Sequence, residues 1–174
     1  MSPEHDSNVT IYRYKLIHKI NYSKTLLLFY ILLLPILCSL PVFLFGWLSL
    51  FYVALAFAVV SWLHYVIIRS VLLIASEPIK KRWRHRIRFP WIGYLPEQYI
   101  SYSVFVRIHK HVLWIGLCCI VVLLPWSPPA FTAGMAIWHL WLAIPRLVCF
   151  YRLRRQPKYG MIKLNDTDLS YYRQ

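Results

Sequence analysis

Four long apolar runs, separated by polar or strongly basic stretches, set the pattern of this chain. The second is the plainest: LSLFYVALAFAVVSWLHYVIIR, Leu48 to Arg69, carries no charged side chain before its final arginine. At about 1.5 Å rise per residue the run spans about 31 Å, the thickness of a bilayer's hydrocarbon core. It predicts a transmembrane helix. The first run, Thr25 to Phe45, contains Pro35 and Pro41, so a kink is expected, with neighbouring helices satisfying the carbonyls that proline frees. Only Gly46 and Trp47 separate runs one and two, which implies a tight antiparallel pair. The third run, Val112 to Trp126, is short for a span. It is expected to gain length by snorkelling of His109, Lys110 and His111 or by local thinning of the bilayer. The fourth begins at Pro129 and continues to Tyr151.

The polar stretches are less decisive. Residues 1–24 form a lead in which Ile11, Tyr14, Ile17 and Ile20 fall at loosely helical spacing, compatible with an interfacial helix or an unstructured tail. No signal-peptide pattern precedes the first apolar run, which is expected to remain in the mature protein. Between spans two and three, residues 76–110 contain two stretches of period-two alternation, one from Arg84 to Phe89 and one from Tyr99 to Ile108, with Pro90, Gly93 and Pro96 between them as turn signals. A β-hairpin lying on or dipping into the interface fits this pattern, and an irregular basic loop is the alternative. The second helix is expected to continue past Arg69 until Pro78 stops it. In the tail, residues 152–174, the sequence MIKL reads as a short strand. The expected fold class is therefore an all-α integral membrane protein: one polytopic domain over residues 1–174, with four spans and a cytoplasmic, hairpin-like insertion between spans two and three.

Composition agrees, since 59% of the residues are hydrophobic and 17% aromatic. The net charge of +14 could suggest nucleic acid, but no readable nucleic-acid module accompanies it. Its distribution instead fits membrane topology. All 20 lysines and arginines lie in the lead, between Arg69 and Lys110, or from Arg146 onwards, and the turns at 46–47 and 126–129 have none. By the positive-inside rule both termini and the large loop face the cytoplasm, and the plasma membrane is the expected location. Lys80, Lys81, Arg82, Arg84, Arg86 and Arg88 form a cluster that would be drawn to anionic lipid headgroups by about 1 kcal/mol per charge, or would meet an acidic partner.

Candidate chemistry centres on histidine. An ionisable side chain inside a span faces a partner or a cavity by default. His64 near the cytoplasmic end of span two and His139 in span four fall at comparable depth, because both spans run towards the cytoplasm. An interhelical hydrogen bond, a proton relay or part of a metal site would all use that arrangement. Cys118 and Cys119 are the other soft donors at similar depth, so a zinc site built from His64, His139 and a cysteine is the metal candidate. The spans contain no Asp or Glu, which places a carboxylate general base out of reach. All four cysteines lie in apolar runs and imply no disulfide framework.

The order of features resembles the small four-span membrane proteins classed as zincin peptidases. The likeness lies in a histidine late in span two, the segment FPWIGYLPEQY with its glycine, two further spans, and the aspartate-bearing tail LNDTDLSYY. The resemblance implies a span-two motif His-Glu-x-x-His, with two zinc ligands and a glutamate that activates water. Here that stretch reads His64-Tyr65-Val66-Ile67-Ile68, so the glutamate position is Tyr65 and the second ligand position is Ile68. The chain thus looks like a degenerate, non-catalytic member: an accessory or interaction protein with no cofactor, whose basic face contacts anionic lipid or another membrane protein. The competing expectations are a metal-dependent intramembrane hydrolase using His64 and His139, and a small transporter or proton-handling subunit.

Overall fold

The computed structural model describes residues 15–75, 83–165 and 168–173. Helices α1 (Lys24–Phe45), α2 (Ser49–Ile74), α3 (Tyr102–Leu123) and α4 (Pro129–Leu153) are each long and apolar enough to cross a membrane. Ser23 caps α1 by accepting the Leu26 amide at 3.2 Å, and the helix continues through Pro35 and Pro41. It ends at Gly46, whose φ of +84° is a conformation that glycine adopts without penalty. The chain turns there directly into α2, as the near-absence of linker predicted. Helix α2 packs against the other three, and Gly134 of α4 lets that helix close on Val53 and Ala56 of α2. A Cβ at Gly134 would stand only 3.1 Å from the Ala56 methyl.

Two small sheets join the helices, so the fold is mostly helical but not all-α. Strands β1 (Lys15–Asn21), β6 (Asp168–Arg173), β5 (Met161–Leu164) and β4 (Ile100–Ser101) form an antiparallel sheet in that order. Its pairing runs from Lys15 opposite Arg173 to Asn21 opposite Asp168, and from Ile100 opposite Ile162. The lead is therefore a strand over its described part, neither an interfacial helix nor a loose tail. MIKL is the strand β5, as its sequence suggested. Since β1 feeds α1, β4 feeds α3 and β5 follows α4, the sheet gathers both described ends of the chain at one end of the bundle. Ile20, Leu169 and Tyr171 of the sheet share one core with Ile68 of α2, Phe105 of α3 and Leu153 of α4, all at most 1% exposed.

The insertion is a β-hairpin, but its second strand is not the expected one. Strand β2 (Trp83–Arg88) pairs with β3 (Trp91–Pro96) across a two-residue turn at Phe89 and Pro90, a cis peptide bond. Tyr99 to Ile108 does not form the second strand: only Ile100 and Ser101 are extended, and α3 begins at Tyr102. Burial decides the matter. Val104, Phe105, Ile108 and Val112 are buried at helical spacing, which places them on one face against the core. The third apolar run consequently belongs to a helix of 22 residues that begins ten residues before Val112. His109 instead points inward at 3% exposure. Helix α2 runs to Ile74, beyond Arg69 as expected, while Pro78 lies outside the described residues.

The hairpin turn reaches deep along the bundle. Phe89 packs edge-on against Tyr30 and Trp141, with ring centroids 6.4 and 6.0 Å away. Tyr30 and Trp141 are stacked at 4.4 Å and exchange hydrogen bonds, each donating to the other's backbone carbonyl at 3.1 and 3.0 Å. Tyr30 lies about 9 Å along α1 from Lys24.

Candidate functional site

Four of the buried polar residues of the helices, His64, His109, His139 and Arg146, converge where α2, α3 and α4 meet beside β3. His64 lies on the buried stripe of α2, in register with Val60, Ile67, Ile68 and Val71. His139 is buried on α4. Their rings meet edge to face, with Nε2 of His64 and Nδ1 of His139 2.8 Å apart. The other nitrogen of His139, Nε2, lies 3.2 Å from the Leu113 carbonyl of α3. A carbonyl only accepts, so His139 Nε2 is the donor; in the neutral ring Nδ1 then accepts from His64 Nε2–H. One histidine thereby ties α2, α3 and α4 together. Gly116 makes this possible, because a Cβ there would overlap the His139 ring.

Two residues that the sequence reading used only to mark the membrane boundary complete the cluster. His109 donates from Nδ1 to the Phe105 carbonyl at 2.9 Å, which leaves Nε2 as a bare acceptor. Arg146, 6% exposed, donates through its two terminal nitrogens to the Leu142 carbonyl and, at 2.8 Å, to the Ile92 carbonyl of the hairpin. Its Nε and the Nε2 of His109 have no hydrogen-bond partner among the described residues. His64, His109, His139 and Arg146 line a cavity of about 10 Å³, about the room one water needs. Among the described residues no carboxylate lines it, and the full charge there is the guanidinium. The signal for both residues was available in helical periodicity: His109 follows Phe105 by one turn, and Arg146 follows Leu142 by one turn.

The remaining candidates fall elsewhere. Cys118 is exposed and Cys119 half-buried, and both line a separate apolar groove with Trp62, Trp114 and Met135. Among the described residues no three His, Cys, Asp or Glu side chains are grouped as a metal site would need. Tyr65 packs its ring against His85 and Tyr94 of the hairpin at 5.3 and 5.1 Å, while Ile68 is 1% exposed in the core. Of the basic cluster, Lys80, Lys81 and Arg82 lie outside the described residues. Arg84 pairs with Glu97 at 3.3 Å, Arg86 donates to the Leu164 carbonyl at 3.4 Å, and Arg88 is exposed at the hairpin tip. No family model, curated protein or solved structure matches the chain.

Proposed function

We propose that this chain is a multi-pass membrane accessory or interaction protein without catalytic activity. In this reading the sheet and both termini lie on the cytoplasmic side of the plasma membrane, and the basic hairpin dips in from that side and contacts anionic lipid or a partner. The observation that carries it is the bonding of the central cluster. His64 and His139 spend their facing nitrogens on each other, His139 spends its second on a carbonyl, and the cavity they border is lined by a guanidinium and, among the described residues, by no carboxylate that could serve as a general base. A cation beside these rings also opposes a second cation such as zinc. The zincin resemblance is then one of descent: Tyr65 and Ile68, at the positions of the base and the second ligand, serve packing.

The deciding experiment is elemental analysis of the purified, untagged protein beside a His64→Ala, His139→Ala double variant. Neither is expected to carry stoichiometric zinc or iron. Stoichiometric metal in the wild type that disappears in the variant would establish the hydrolase reading instead. For the basic face, glutamine at Lys80, Lys81, Arg82, Arg84, Arg86 and Arg88 is expected to weaken association with anionic vesicles, and unchanged association would remove the lipid contact.

A further inference from the structure

A groove between α2 and α3 has the amphipathic build of a phospholipid site. It encloses about 350 Å³ and is lined on one side by Val66, Ile67, Ser70, Val71, Ile74 and Ala75, and on the other by Arg107, His111 and Ile115. Helix α2 runs towards the sheet end of the bundle and α3 away from it. Ile74 and Arg107 therefore mark one mouth of the groove, and Val66 and Ile115 its inner end. Each wall is about 12 Å long. One leaflet of a bilayer core is about 15 Å deep, so the groove covers most of a single leaflet.

Its chemistry is graded along that length. Arg107 is exposed at the mouth, with His111 one turn deeper and Ser70 across from them, whereas the rest of the lining is aliphatic. Ile74 stands 83% exposed beside it, a side chain that water would not favour and an acyl chain would cover. Two other grooves lack this gradation: the one at Cys118 and Cys119, and another between α1 and α4 at Leu26 and Ile144, carry no charged side chain among the described residues. We infer that the α2–α3 groove binds one anionic phospholipid of the cytoplasmic leaflet, its phosphate on Arg107 with Ser70 as a hydroxyl donor, and an acyl chain along Ile74, Val71, Ile67 and Ile115. This rests on the membrane reading proposed above, but not on the basic hairpin, which is a separate surface.

The test uses the full chain in mild detergent with mixed micelles of equimolar phosphatidylglycerol and phosphatidylcholine, and counts retained lipids by native mass spectrometry. One phosphatidylglycerol per chain is expected to be retained over phosphatidylcholine. Arg107→Gln should lower its occupancy about fivefold, the factor that one juxtamembrane cation contributes. Arg107→Lys should retain it, which separates charge from any folding effect, and Ser70→Phe should lose it by filling the groove with the charge intact. Glutamine at the six basic residues from Lys80 to Arg88 should leave this one lipid bound. Equal retention of both lipids, or a phosphatidylglycerol that survives both Arg107→Gln and Ser70→Phe, overturns the site. Loss only in the Lys80-to-Arg88 variant also overturns it, while leaving the anionic-lipid contact of the basic face standing.

Discussion

Replacing Gly116 with alanine perturbs the three-helix clasp at its tightest point. The added methyl would overlap the His139 ring, and at 1% exposure that ring has little room to withdraw. Any shift draws Nδ1 away from His64 and Nε2 away from the Leu113 carbonyl. Overpacking of this kind costs about 1–3 kcal/mol. An interhelical hydrogen bond inside a membrane contributes about 0.6 kcal/mol, so the total loss is about 2–4 kcal/mol. In a chain of this size about 1 kcal/mol moves the melting midpoint by about 2–4 °C, which places the expected drop between about 4 and 16 °C. Thermal unfolding of the detergent-purified protein, followed by circular dichroism, reads it. The double variant Gly116→Ala, His139→Ala is the sharper arm: removing the ring relieves the clash, so the two losses should fall short of additive by about 1 kcal/mol or more. A melting point equal to the wild type in Gly116→Ala, or an additive cycle, would refute the contact.

Arg146→Met should free the hairpin from α4, because it strips the donor from the Ile92 carbonyl at a loss of about 1.5–3 kcal/mol. Faster hydrogen exchange across Trp91–Pro96, relieved in part by Arg146→Lys, is the expected result, and unchanged exchange would mean that aromatic packing alone holds the hairpin. Tyr171→Phe removes the bond that its hydroxyl donates to the Pro157 carbonyl at 2.6 Å and should destabilise by about 1 kcal/mol. Gly160→Ala should be worse, since its Cβ would overlap the Tyr171 ring; melting curves rank the two. Burial raises the Tyr22 hydroxyl above its ordinary value near 10. The unfolded chain therefore ionises first, so the contribution of Tyr22 is complete below about pH 10 and is lost as pH rises further. Wild type should lose stability between pH 9 and 11 more steeply than Tyr22→Phe, and parallel curves would contradict the burial.

Each helix was legible because its signal is local. A run such as Leu48–Ile68 carries its length and apolarity in consecutive residues, and Gly46 with Trp47 forces the reversal wherever the rest of the chain lies. The sheet was not legible, because β1 pairs with β6 across almost the whole sequence. Lys15 finds Arg173 only once four helices have brought them together. Strand β1 is also mostly exposed, so no alternating buried face marked it. Tyr99–Ile108 misled for another reason. Its apolar residues satisfy period two and period 3.6 together, and the face formed by Val104, Phe105, Ile108 and Val112 prevailed because α2 and α4 offered it a core. The pairing of His64 with His139 was legible from depth alone, whereas His109 and Arg146 were assigned to the boundary by their charge.

That misassignment bears on what the polar cluster is for. On the membrane reading, a hairpin whose turn lies beside Tyr30 and Trp141 brings strand carbonyls below the surface, where irregular backbone is tolerated only against protein partners. Arg146 is such a partner: it donates to Ile92 in β3 and to Leu142 in its own helix. Its charge is met by carbonyl dipoles in place of a carboxylate, so it needs no acidic residue in the spans. Gly93 fits the same arrangement, with φ at +112° and a Cβ position only 3.3 Å from the Arg146 guanidinium. A side chain at Gly93 would press on the donor that holds the neighbouring residue. The buried cation, the histidine clasp and the hairpin then form one construction, in which polar side chains hold irregular backbone within a helical bundle, and the Nε2 of His109 is left without a hydrogen-bond partner among the described residues.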